Sequence, residues 1–262
     1  MNLRKVLFAL GTAALCTTAF TNAVARDVLR VGTEPTFAPF EYLDSATKTY
    51  AGYDMDLIRA VADKAGYDVE IINMGFDALI PALSSGTIDV IAAGVSITEE
   101  RAKRVDFTTP YYTTGLSILV QKKNAGTLKT MKDLEGKRIA VQIGTTGAEK
   151  AKSIKGADVV SFNTTSDAFM DLAQGGCDAV ILDRPVIAYF LKNQPRAAKR
   201  VQLQPGGADA PPFRLPPQAP AADFGFAVKK GNAELLQKLN AGLKAVNDSG
   251  EGKKIFEKYF AE

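Results

Sequence analysis

Four short stretches carry side chains suited to binding rather than folding alone. They are Thr33-Glu34-Pro35-Thr36-Phe37, Gly94-Val95-Ser96-Ile97-Thr98-Glu99-Glu100-Arg101, Gly144-Thr145-Thr146-Gly147 and Leu182-Asp183-Arg184. A guanidinium meets a carboxylate through two parallel bonds. A helix start such as Thr146 offers free N–H groups to an anion. Asp183 and Glu34 offer negative charge to a cation, and Phe37 offers a ring face. Three of the stretches also have an ordinary reading. Arg101 is followed by Lys103 and Arg104, as on a solvated helix face. Asp183 precedes Arg184-Pro185, as a helix cap does. Glu34 and Phe37 suit a turn and a core.

The side-chain inventory removes whole reaction classes. The 262 residues contain no histidine, so Ser-His-Asp and Cys-His catalysis and any histidine-bearing metal site are excluded. Paired carboxylates remain possible. No metal or cofactor is expected. Arg4 and Lys5, the apolar run Val6 to Leu15 and the small-x-small triplet Ala23-Val24-Ala25 read as a signal peptide over 1–25, cleaved after Ala25. The apolar run is too short for a membrane anchor, which needs about 20 residues. Leu15 before Cys16 is too large for a lipoprotein site, leaving Cys177 as the one mature cysteine, read as a small buried hydrophobe. The net charge is +3, and losing Arg4 and Lys5 brings the chain near neutrality. Nothing in that balance seeks nucleic acid or acidic lipid.

The binding stretches need a scaffold, and its rhythm is legible. Val28 to Gly32 reads as a strand, Asp54 to Lys64 as an amphipathic helix stopped at Gly66, and Val69 to Met74 as a strand. Phe76 to Leu83 reads as a helix and Ile88 to Ala93 as a strand buried on both faces. A second round of strands follows at Leu116 to Gln121, Arg138 to Gln142, Val159 to Phe162 and Ala179 to Leu182, with helices after Gly147, at Asp167 to Gln174 and at Arg184 to Asn193. This is α/β architecture in two similar units, with binding loops at the carboxyl ends of parallel strands. Residues 205–220 hold six of the twelve prolines and predict an extended loop. Phe224 to Val228 predicts a strand, followed by helices Ala233 to Val246 and Glu251 to Tyr259.

Several motifs in one order resemble the polar amino-acid family of periplasmic substrate-binding proteins that serve ABC importers. They are residues 32–41 (GTEPTFAPFE), 52–57 (GYDMDL), 76–83 (FDALIPAL), 96–101 (SITEER), 106–112 (DFTTPYY) and 134–146 (LEGKRIAVQIGTT). The resemblance implies a type II periplasmic-binding-protein fold, two three-layer lobes joined by two hinge strands. Lobe one is then 26–115 and 225–262, lobe two 116–204, and 205–224 a Pro-rich loop leading to the second hinge strand. The crossings fall near Thr114–Leu116 and Phe224–Gly225. The implied binding set is Glu34, Phe37, Phe76, Gly94, Val95, Ser96, Arg101, Gln142, Thr145, Thr146 and Asp183. In it Arg101 clamps the α-carboxylate with backbone N–H groups near Ser96 and Thr146. Asp183 takes the α-ammonium with the Ser96 hydroxyl and the Gly94 carbonyl.

Phe37 and Phe76 would sandwich the ligand side chain, with Glu34 and Gln142 beside it. Arginine is the favoured ligand, then lysine, histidine and glutamine. The expected partners are the L-amino acid and the importer's permease subunits, for a periplasmic monomer that is not an enzyme. Two other readings share this scaffold: a dehydratase acting on an arogenate-like acid, and a ligand-sensing partner of a receptor. Without histidine, affinity is expected to be flat between pH 5 and 8.

Overall fold

The computed structural model describes residues 26–204 and 222–261. The expected signal peptide and most of the Pro-rich loop lie outside the described residues. Lobe one begins with β1 (Asp27–Thr33), a small meander of β2 (Thr36–Phe37), β3 (Glu41–Leu43) and β4 (Tyr50–Ala51), then α1 (Tyr53–Ala65), β5 (Tyr67–Asn73), α2 (Phe76–Ser85), β6 (Val90–Ile91), α3 (Glu99–Ala102) and β7 (Val105–Phe107). The chain leaves through β8 (Tyr112–Thr114). Lobe two holds β9 (Leu116–Gln121), β10 (Arg138–Gln142), α4 (Thr146–Lys152), β11 (Asp158–Phe162), α5 (Thr165–Gln174), β12 (Ala179–Asp183), α6 (Arg184–Asn193), α7 (Pro195–Ala198) and β13 (Val201–Leu203). The return runs through β14 (Ala222–Phe224) and β15 (Ala227–Lys229) to α8 (Ala233–Asp248) and α9 (Glu251–Phe260).

The two sheets share one plan. Lobe one orders its strands β5-β1-β6-β15-β7 and lobe two β11-β10-β12-β9-β13. In each, three parallel strands adjoin an antiparallel strand that has just crossed from the other lobe. The crossings themselves pair as an antiparallel ribbon, β8 with β14, placing Tyr112 opposite Phe224 and Thr114 opposite Ala222.

Local chemistry explains the elements. In α1, Met55, Ile58, Val61 and Ala62 recur at helical spacing and are all buried. Gly66 ends that helix at φ 87, a left-handed conformation that favours glycine, with its N–H reaching the last-turn carbonyls. Every residue of β9 and β12 is buried, as a strand covered on both faces requires.

Two expected strands differ. Only Val90–Ile91 of the Ile88 to Ala93 run forms ladder pairs. The Phe224 to Val228 strand is two strands, because Gly225 N–H turns to the Val95 carbonyl and Phe226 N–H to the Thr108 hydroxyl. The expected loop 205–224 also ends in strand, since 222–224 is β14.

Candidate functional site

The carboxyl ends of β1, β6, β10 and β12 meet between the lobes. They enclose a small cavity lined by Phe37, Phe76, Gly94, Ser96, Arg101, Gln142, Thr145, Thr146 and Asp183. Of the predicted set, only Glu34 and Val95 are outside this lining. Glu34 closes one wall through Gln142, whose Nε2 donates to its Oε2 at 2.7 Å. Val95 faces away from this lining: its side chain packs into the lobe-one core with Leu79, Leu83 and Ile91.

Arg101 is not on a solvated face. It sits on α3, a single turn capped by the Thr98 hydroxyl, and is 8 % exposed, whereas Lys103 and Arg104 are exposed. Its Nη1 donates to the Ser96 carbonyl at 2.9 Å, and its Nη2 crosses to the Gly144 carbonyl of lobe two at 3.1 Å. The guanidinium lies 5.5 Å from the Phe76 ring centroid. Two carbonyls and a ring thus hold the plane of the group, and a guanidinium has five donors in all. Burial lowers its pKa, opposed by the charges of Glu149 and Asp183.

Asp183 occupies the N-cap position of α6 but makes no capping bond with its side chain. It is 5 % exposed. Burial pushes its pKa up to about 6, opposed by Arg101 and the Thr114 hydroxyl. Facing the cavity, a carboxyl group of this kind suits a cation that would restore its charge. Thr145 has a structural task instead. Its hydroxyl donates to the Gln142 carbonyl at 2.8 Å and accepts the Ala148 N–H at 3.1 Å, so it is the N-cap of α4. That cap brings Thr146 and the helix start to the cavity. Burial also raises the pKa of Glu34, opposed by hydrogen bonds from Thr36 and Gln142.

Two buried acids near the cavity carry no sequence expectation as site residues. Asp54, at the start of α1, accepts the Gly94 N–H at 2.8 Å and the Tyr111 hydroxyl at 2.6 Å. It therefore fixes the Gly94 turn, whose φ of 54 brings the glycine against Phe37: a Cβ there would lie 2.7 Å from the ring. Burial pushes Asp54 up to about 7. Glu41, paired with Phe37 across β2 and β3, is 1 % exposed. Neither of its carboxyl oxygens has a hydrogen-bond partner among the described residues. Burial raises its pKa well above the usual range, and Asp54, Glu34 and Asp183 raise it further. The signal available for Glu41 was an acid between Phe40 and Tyr42 in an extended stretch.

The family described as bacterial extracellular solute-binding proteins, family 3, matches residues 29–262. A relative in Campylobacter jejuni, named a probable histidine-binding protein, is 35% identical over 235 residues, covering 89% of this chain and 85% of that one. An ancestral arginine-binding protein solved with arginine is 41% identical, with a TM-score of 0.81 over 90% of this chain and 99% of that one. The arginine-, lysine-, histidine-binding protein of Geobacillus stearothermophilus is 36% identical, with a TM-score of 0.80 over 90% and 96% of the two chains. With the family matched over nearly the whole described length and the two-lobe fold shared, this chain belongs to the bacterial extracellular solute-binding proteins, family 3.

Proposed function

We propose that the chain captures a basic L-amino acid, arginine first, between its lobes and delivers it to an ABC importer without transforming it. The observation that carries this reading is the pairing of Arg101 from lobe one with Asp183 from lobe two across one small cavity. The guanidinium takes the α-carboxylate and the aspartate the α-ammonium, so one backbone zwitterion bridges both lobes. The N–H groups at Ser96 and Thr146 complete the carboxylate site, and the Gly94 carbonyl helps hold the ammonium. Between Phe37 and Phe76 lies the side-chain position, with Glu34 at its wall and Glu41 behind. The Glu34 carboxylate favours a cationic side chain, and relatives named for arginine, lysine and histidine point the same way.

Export by the 1–25 leader, cleavage after Ala25, residence in the periplasm as a monomer and docking on permease subunits complete the proposal. The ligand sites belong to Arg101 and Asp183, and neither is set up as a proton donor to a leaving group while it holds a zwitterion. Calorimetry with L-arginine tests the assignment. Arg101→Ala leaves a desolvated carboxylate unpaired, so affinity should fall by at least about 100-fold, the equivalent of roughly 3 kcal/mol. Unchanged affinity removes Arg101 from the site. Turnover of arogenate or prephenate by the wild-type protein would replace capture with catalysis.

A further inference from the structure

We propose that Thr36 and Thr165 form a latch between the lobes that couples closure to the Glu34 carboxylate, and through it to the charge of the ligand side chain. The proposal rests on the capture reading above. Thr36 belongs to β2 of lobe one, and Thr165 is the first residue of α5 in lobe two. The Thr165 N–H donates to the Thr36 hydroxyl at 3.2 Å, and the Thr165 hydroxyl donates to the Thr36 carbonyl. Neither residue lines the cavity. Both line a groove on the outer side of the interface with Pro35, Tyr42, Phe169 and Tyr189.

The donors fix the direction of the network. An amide N–H can only donate, so the Thr36 hydroxyl accepts from Thr165. Its own hydrogen is then free for Glu34, whose Oε2 lies 2.7 Å away. The same Oε2 accepts from Gln142 of lobe two at 2.7 Å. One donor from each lobe thus converges on one carboxylate oxygen, Thr36 itself being bonded to lobe two through Thr165, and both favour its charged form. The N-terminus of α5 permits this. Thr164 caps the helix by accepting the Asp167 N–H, leaving the Thr165 N–H to reach across. Within lobe one, the Thr36 N–H bonds the Glu34 carbonyl at 2.9 Å, holding the hydroxyl against the carboxylate in a tight turn.

A contact made only when the lobes meet stabilises the closed complex and so slows release more than capture. A ligand cation at Glu34 favours the charged carboxylate, which strengthens the bond from Thr36. An uncharged ligand side chain gives no such reinforcement. The variants separate these effects. Thr36→Val removes the hydroxyl from both bonds, Thr36→Ser keeps it, and Thr165→Val removes the bond to the Thr36 carbonyl and the 3.3 Å contact with the Thr36 hydroxyl while keeping the Thr165 N–H bond.

Stopped-flow tyrosine fluorescence with L-arginine and L-glutamine reads the rates, since the chain has eight tyrosines and no tryptophan. In Thr36→Val, release of arginine should quicken about tenfold, the upper range for one neutral hydrogen bond. Release of glutamine should quicken less, association of both should stay within about twofold, and Thr36→Ser should restore the wild-type rates. Thr165→Val should speed both ligands alike. Unchanged release in Thr36→Val overturns the latch, and an equal change for both ligands overturns its link to Glu34. Amide exchange at Thr165 with saturating L-arginine, where the lobes are together, gives an independent reading. It should quicken in Thr36→Val, and equal exchange overturns the latch. Failure of the wild type to bind either one counts against the capture reading alone.

Discussion

At the scale of single residues, the proposed pairing of Asp183 with the ligand ammonium makes binding depend on pH. Burial holds its proton to about pH 6. An α-ammonium beside it favours the charged form, so binding below pH 6 expels that proton. Affinity for arginine should therefore climb about tenfold from pH 5 to pH 7 and level off above, by proton linkage. Calorimetry across that range checks the slope, and a flat profile would detach Asp183 from the ammonium. The flat profile expected from the absence of histidine is thus revised, because a buried carboxyl group titrates where histidine usually does. The stability of the unliganded protein should follow the opposite trend. Its folded state holds a proton that the unfolded chain releases near 3.8, so this group's contribution to stability falls as pH rises from about 4 to about 6. Arg101 and Asp183 were legible through the resemblance of the motifs around them, since residue type alone left Arg101 as a solvated helix face and Asp183 as a helix cap. Glu41 and Asp54 were not, because an acid that tertiary contacts bury looks the same in linear sequence as one left in water. The partners that hold Asp54, Gly94 and Tyr111, lie 40 and 57 residues away.

Among the elements, α4 shows how secondary structure aims the site. Its cap, Thr145, ties the first turn to the Gln142 carbonyl at the end of β10. Thr145→Ala removes both bonds and should cost about 1 kcal/mol of stability. For a chain of this size that lowers Tm by about 2–4 °C. Arginine affinity should fall too, since Thr146 N–H loses its fixed direction. A melt and a titration on the same sample check both, and an unchanged Tm would mean that the cap is not holding α4. The central strands β6 and β12 were legible for a physical reason: continuous apolar runs mark strands with helices on both faces, whereas β5 at the sheet edge was read from alternation. The β2–β4 meander, β7 and β13 were not, since strands of two or three residues have no period to detect. The break between β14 and β15 was also hidden. It depends on the Val95 carbonyl and the Thr108 hydroxyl, which reach Gly225 and Phe226 from more than a hundred positions earlier.

Over the whole molecule, the two lobes connect through the β8–β14 ribbon, and its two ends are not held alike. Tyr112 and Phe224 are buried in an aromatic cluster of lobe one. Phe40 lies 4.9 Å from Tyr112 and 5.2 Å from Phe224 between ring centroids, and Phe260 lies 5.0 Å from Tyr112. Between that anchor and the start of β9 stand only Thr113, Thr114 and Gly115. The ribbon therefore moves with lobe one, and we infer that bending concentrates at Gly115. Opening there separates Arg101 from the Gly144 carbonyl and Glu34 from Gln142, both of which bridge the lobes. A zwitterion held by Arg101 and Asp183 makes contacts with both lobes that the open form cannot offer together, so it shifts the population toward closure. Small-angle scattering should show the radius of gyration falling on addition of L-arginine toward roughly 18 Å, the value for a compact chain of this length. In Arg101→Ala the same addition should leave it unchanged, because the lobe-one half of the bridge is gone. A wild-type radius indifferent to arginine would mean that the lobes are already locked together, and that release must begin with a rearrangement inside the cavity.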